Sequence, residues 1–135
     1  MAARAPDDER YKFQRENFDR ALARLGEVLL RPEDDVVRDS IIQRFEFTFE
    51  MAWKALFRFL TAKGERVAAK AWDVLPLAFE AQLITDAETW DRLREYRDDT
   101  SHEYDEAKAV EVAAFVRDSG YTALLALRAE LERRQ

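Results

Sequence analysis

Apolar residues recur along the first part of the chain at helical intervals. Tyr11, Phe18, Leu22, Leu25 and Leu29 are spaced by 7, 4, 3 and 4 positions, which places them on one face of a helix. Pro6, Asp7 and Asp8 form its start, with acids where the helix dipole favours them, so residues 1–10 read as a loose lead-in. Arg31-Pro32-Glu33-Asp34-Asp35 ends this helix and opens the next, since proline is tolerated at a helix start but not inside one.

The stretch from Ser40 to Leu60 carries two periods at once. Phe45, Phe47, Phe49, Met51, Trp53, Ala55, Phe57 and Phe59 alternate as in a half-buried strand. Gln43, Glu46, Glu50, Lys54, Arg58 and Thr61 instead recur at 3, 4, 4, 4 and 3, a polar stripe of helical spacing. Strands average about 5–6 residues, and this stretch runs far longer without a turn signal. Glu50 and Lys54 also form a favourable i,i+4 pair, so the segment is assigned to helix. Apolar residues on most of its circumference predict burial on several sides, at the centre of a bundle or in an interface.

Lys63-Gly64-Glu65 supplies a glycine C-cap. A shorter element over Val67 to Ala81 follows, with Pro76 limiting or bending it. Thr85-Asp86-Ala87-Glu88 reads as a capping box opening a helix lined by Trp90, Leu93 and Arg97. A last helix is expected from Asp105 to Arg133, striped by Ala107, Val110, Ala113, Val116, Gly120, Leu124, Leu127 and Leu131. Gly120 inside it suggests close approach of another backbone, and Thr100 or Ser101 a possible N-cap. The expected fold is all-α: an antiparallel four-helix bundle with a short additional helix, one domain over residues 1–135.

Composition narrows the chemistry. The chain has 135 residues, 22 basic and 28 acidic side chains and a net charge of -6, so any contact with nucleic acid needs a local basic site. With no Cys and one His, disulfides, thiolate catalysis and His-rich or Cys/His zinc sites are excluded. No apolar run approaches the roughly 20 residues needed to cross a bilayer, and the charged N-terminus lacks a signal-peptide core. A cytoplasmic location is expected, with no membrane partner.

The joint Arg94-Glu95-Tyr96-Arg97-Asp98-Asp99-Thr100-Ser101-His102-Glu103-Tyr104-Asp105 concentrates the chemistry and holds the only His. Arg97 follows Trp90 by seven residues and Leu93 by four, so it points with the apolar stripe. A buried guanidinium is costly unless paired or reserved for an anion. One reading is a structural ion pair to Asp98, Asp99 or a facing Glu. The other is metal-free phosphodiester cleavage of RNA. There His102 exchanges a proton with the 2′-OH or the leaving oxygen, and Arg97 stabilises phosphoryl charge. If two imidazoles are needed, a two-fold dimer supplies the second. The acids Asp98, Asp99, Glu103, Asp105 and Glu106 read as a solvated loop and helix start rather than a metal site. Arg44, Lys54, Arg58, Arg92 and Arg94 are expected to face water, and the aromatics of the second helix to form core and dimer contacts.

Arg97 to Tyr104 fits an R-x4-H-x-Y pattern, and through it the chain resembles HEPN-domain proteins of the HepT toxin type. The block Ile42 to Lys54, the run Thr100-Ser101-His102 with Tyr104-Asp105-Glu106, and Lys12 to Arg15 with Asn17-Phe18 are similar to the HepT-like nucleotidyltransferase substrate-binding proteins. The resemblance implies a homodimer with both motif copies lining one cleft, and metal-independent RNA cleavage with no cofactor. It also implies a minimal nucleotidyltransferase, an MntA-like antitoxin encoded nearby, that silences the toxin by AMP transfer. Arg97 and His102 would be catalytic and Tyr104 the modified residue. Asp98 would be the supporting polar position, where relatives often carry Asn; its carboxylate repels phosphate unless Arg94 or Arg97 neutralises it. The alternative is a non-catalytic substrate-binding subunit that docks the transferase.

Overall fold

In the computed structural model, which describes residues 3–100 and 105–135, four of the helices start on an aspartate side chain. Helix α1 (Glu9–Leu29) starts where the Asp8 carboxylate accepts from the Tyr11 N–H at 3.0 Å. Helix α2 (Asp35–Ala62) starts where Asp34 accepts from the Val37 N–H at 2.8 Å. Gly64 follows it at φ 95°, the left-handed conformation expected of a residue just beyond a helix end. The doubly periodic segment is thus helical from end to end. Its alternating aromatics fall around the helix, and Phe45, Phe49, Trp53 and Phe59 are all buried.

Helix α3 (Ala71–Glu80) starts later than Val67 and contains Pro76 without ending there. Helix α4 (Ala87–Thr100) is capped by Asp86, whose carboxylate accepts from the N–H and hydroxyl of Thr89 at 3.1 and 2.6 Å. The cap therefore sits one residue after Thr85. Helix α5 (Glu106–Phe115) takes Asp105 as N-cap, accepting from the Lys108 N–H at 2.8 Å. Thr100 belongs to α4, so it is not the cap of the final helix.

The final helix is continuous but not uniform. A single π turn, Val116–Gly120, joins α5 to α6 (Tyr121–Arg133). It changes the register of the buried stripe, which runs through Ala109, Val112, Val116, Gly120, Leu124, Leu127 and Leu131. Ala107 and Val110 face outward, because extending the i+3 spacing backwards from Val116 drifts off the core face. At Gly120 the close neighbour is a side chain, not a backbone: a Cβ there would lie 3.0 Å from Leu93 Cδ2.

The helices form an all-α bundle. α2 is its central member, packed most extensively on α1 and also against α3, α4 and α5, with α1 returning to α6. Phe18, Leu22, Leu25, Ile41, Phe45, Leu56 and Leu93 fill the centre. Fully burying side chains of this size stabilises by about 1.5–3 kcal/mol each.

Two arginines fasten the ends. Arg117 donates to the Leu29 carbonyl at 2.8 Å and to Glu33 at 3.0 Å, tying the π turn to the α1–α2 connection. Arg134, nearly sealed from solvent, donates to the Ala81 and Gln82 carbonyls at 3.0 and 3.1 Å and to Glu130 at 2.7 Å. The Ala5 N–H donates to the Arg134 carbonyl at 2.8 Å, joining the chain's two ends. Among the described residues no helix is long and apolar enough to cross a membrane.

Candidate functional site

Helix α4 directs its buried side chains Trp90 and Leu93 toward the core, and Arg97 follows one turn later. At that level α4 faces the polar stripe of α2. Arg97 Nη1 lies 3.7 Å from Glu46 Oε2, and Nη2 lies 3.6 Å from Glu50 Oε1. The structural expectation of a facing Glu is therefore met by two carboxylates on α2. Glu50 also lies 3.8 Å from Lys54, as its spacing predicts.

The guanidinium is not sealed beneath these acids. The Arg97 side chain retains 25% of its exposure and lines a groove of about 560 Å³ between α1, α2 and α4. Arg24, Gln43, Arg44, Glu46, Phe47 and Glu50 line the same groove. Arg44 is turned into its wall, where Nη1 donates to the Arg24 carbonyl at 2.6 Å. The groove thus combines three guanidinium groups, two carboxylates and one exposed aromatic ring. Phe47 is the exposed member of the α2 aromatics; Phe45, Phe49, Trp53 and Phe59 are spent in the core.

Asp98 is neutralised from its own helix. Arg94, one turn earlier, places Nη1 at 3.4 Å from Asp98 Oδ2. The Arg94 guanidinium is buried and lies 3.3 Å from the centroid of the Trp72 ring on α3. This corrects the expectation that Arg94 faces water. It also sets a cation beside the Asp98 carboxylate, which favours its charged form.

The far end of α4 is fixed to the start of α5 by a second network. The Tyr96 hydroxyl donates to Glu111 at 2.8 Å and accepts from Arg92 at 3.1 Å, while Lys108 donates to Glu111 at 3.3 Å. The Tyr96 ring packs on Phe115 at a tilt of 50°, with centroids 5.1 Å apart. Hydrogen bonds from Tyr96 and Lys108 hold the Glu111 carboxyl below its ordinary range, and the Tyr96 hydroxyl raises Arg92. The helices on either side of residues 101–104 are thereby locked together. Asp105 and Glu106 are used structurally, one as the α5 cap and the other 3.9 Å from Arg38.

Of the sequence-predicted site residues, Arg97 and Asp98 are placed at this end of α4. His102 and Tyr104 lie outside the described residues. Glu46 and Glu50, which face Arg97, were visible in sequence as members of a polar stripe, with Glu50 also paired to Lys54.

A helical bundle with an Arg-x4-His-x-Tyr segment at the exit of one core helix defines a recognisable class of protein. Residues 13–133 match the family model described as nucleotidyltransferase substrate binding protein like, and the chain belongs to that family. It is 33% identical over 94 residues to the probable ribonuclease HepT of Haemophilus influenzae, a match covering 64% of each protein. The chain thus spans 64% of the length of that curated relative. A crystal structure of a Thermus thermophilus protein superposes with a TM-score of 0.74 at 31% identity, covering 86% of this chain and 99% of that one.

Proposed function

We propose that this protein is a metal-independent endoribonuclease of the HepT type, with a composite active site at a homodimer interface. The observation that carries the reading is Arg97: a guanidinium held at the mouth of a groove, beside a neutralised Asp98 and five residues before the chain's single His. The similarity to the probable ribonuclease HepT supports it.

In this mechanism the 2′-OH of the substrate attacks the adjacent phosphorus as one His102 imidazole removes its proton. The P–O bond to the 5′-oxygen breaks, and a second imidazole, from the other subunit, protonates that oxygen. The RNA is left as a 2′,3′-cyclic phosphate and a free 5′-OH. Imidazole suits both roles because its unperturbed pKa of about 6.5 lets it give and take a proton near neutrality. Arg97 offers its donor fork to the equatorial phosphoryl oxygens, whose charge grows in the transition state. Glu46 and Glu50 hold the fork in place beforehand, so it meets phosphate already oriented.

Tyr104, two residues beyond His102, is the acceptor for AMP from a partner nucleotidyltransferase of the MntA-like type. The added phosphate places negative charge in the cleft and silences cleavage. A second reading is a non-catalytic subunit that docks the transferase; the two carboxylates already engaging Arg97 and the net charge of -6 favour it.

Single-stranded RNA incubated with the purified protein in EDTA separates the two. Cleavage by wild type, absent from a folded His102→Ala protein, supports the nuclease. Intact RNA with wild type, alongside transferase binding, supports the docking subunit.

A further inference from the structure

We propose that Trp72 is a stacking platform for a nucleobase of single-stranded RNA, tied through Arg94 to the end of α4 that carries Arg97. The inference rests on the ribonuclease reading and names the substrate contact that reading lacks.

Trp72 is 63% exposed, whereas the other two tryptophans, Trp53 and Trp90, are buried. Leaving an indole in water forgoes substantial burial free energy, and here the position is held rather than incidental. The buried Arg94 guanidinium lies 3.3 Å from the ring centroid and covers one face. Arg94 is in turn fixed by Asp98, the residue next to Arg97. The indole is thus braced, through one guanidinium, by the same turn of α4 that carries the phosphate-binding arginine.

Two further features select a nucleobase as the occupant. The Arg94 charge is matched by Asp98, so the platform offers a flat π surface with little net charge. The segment leading into Trp72 carries Lys63, Arg66 and Lys70 against Glu65, and all four are exposed. In a chain of net charge -6 this is a local basic tract, and it runs into the amino end of α3, where the exposed Asp73 of the first turn sits on the positive end of the helix dipole. A basic track for the backbone beside an aromatic ring for a base is the arrangement by which proteins hold single strands without reading sequence.

The test uses the full chain and a short 2′-O-methyl oligoribonucleotide, which cannot be cleaved because its 2′-oxygen is blocked. Stacking on Trp72 should quench tryptophan fluorescence in wild type and leave Trp72→Phe fluorescence unchanged. On cleavable RNA, Trp72→Ala should raise KM by about 5- to 150-fold with kcat retained, and Trp72→Phe should stay near wild type. Quenching by the oligonucleotide but not by AMP assigns the site to a strand; equal quenching by AMP assigns the same base-stacking site to free nucleotides. Equal quenching in Trp72→Phe, or by an abasic oligonucleotide, would overturn the proposal. So would conversion of a dimer to a monomer by Trp72→Ala in sedimentation, which would make the ring a subunit contact. Trp72-dependent quenching with no RNA cleavage by wild type would keep the platform and reject the nuclease.

Discussion

Arg97 has two sets of possible partners, and the balance between them governs what the groove can do. Glu46 and Glu50 lie 3.7 and 3.6 Å from it on a neighbouring helix, at distances where attraction depends on the local dielectric. A phosphate entering the groove competes with those acids. Converting one acid to its amide should weaken the hold without removing a hydrogen-bonding shape. Glu46→Gln and Glu50→Gln are therefore expected to bind RNA more tightly than wild type, with a steeper dependence of binding on salt concentration, checked by fluorescence anisotropy. Arg94→Ala should act oppositely: it removes the guanidinium paired with Asp98 and the backing of Trp72, so cleavage should fall at least tenfold while the bundle stays folded by circular dichroism. The spacing of Arg97 behind Trp90 and Leu93 was legible in sequence. Its pairing with Glu46 and Glu50 was not, because those residues are some fifty positions away and only the registration of α4 on α2 brings them together. Asp98 was readable as a problem, and Arg94 as one of two answers to it.

At the scale of elements, strong local signals translated directly into structure. Asp8 and Asp34 each sit at a polar-to-apolar boundary and each caps a helix; the final helix is capped by Asp105, where Thr100 or Ser101 was expected. The π turn left no such signal. It absorbs one residue between two stretches that are each regular, so a uniform stripe drawn through Ala107 and Val110 passed over it. Gly120 was its trace. Gly120→Ala drives a Cβ to 3.0 Å from Leu93 Cδ2 and should destabilise by about 1–3 kcal/mol, measured by urea denaturation. Loss of that methyl contact by Leu93→Ala in the same chain should recover part of the difference, as coupled neighbours do. The carboxylates that fasten elements also set the acid limit. Hydrogen bonds from Arg133, then from Arg134, pull Glu130 below its ordinary value of 4.5 against the opposing effect of burial. A lowered native value means this stability is present above about pH 4.5 and is lost as pH falls through the native pKa. Glu130→Gln should lower the melting temperature at pH 7, by the equivalent of about 1–3 kcal/mol, and flatten its decline between about pH 5 and 3.

The whole molecule poses the question of assembly. The aromatic excess of α2 is largely consumed within one chain, and Phe47 is left outward on the groove that Arg97 lines. In the proposed dimer this ring is open to cover by a second copy. The all-α bundle and the central place of α2 were both readable from periodicity, since buried circumference is a property of one helix. The relation between two copies of the chain is not encoded in any single period. The composite site therefore stands or falls on a mixing experiment. Wild-type chains are exchanged with increasing proportions of His102→Ala chains, and RNA cleavage in EDTA is followed at constant total protein. If both imidazoles serve one site, activity falls as the square of the wild-type fraction. A linear fall, or no cleavage by undiluted wild type, would contradict the account.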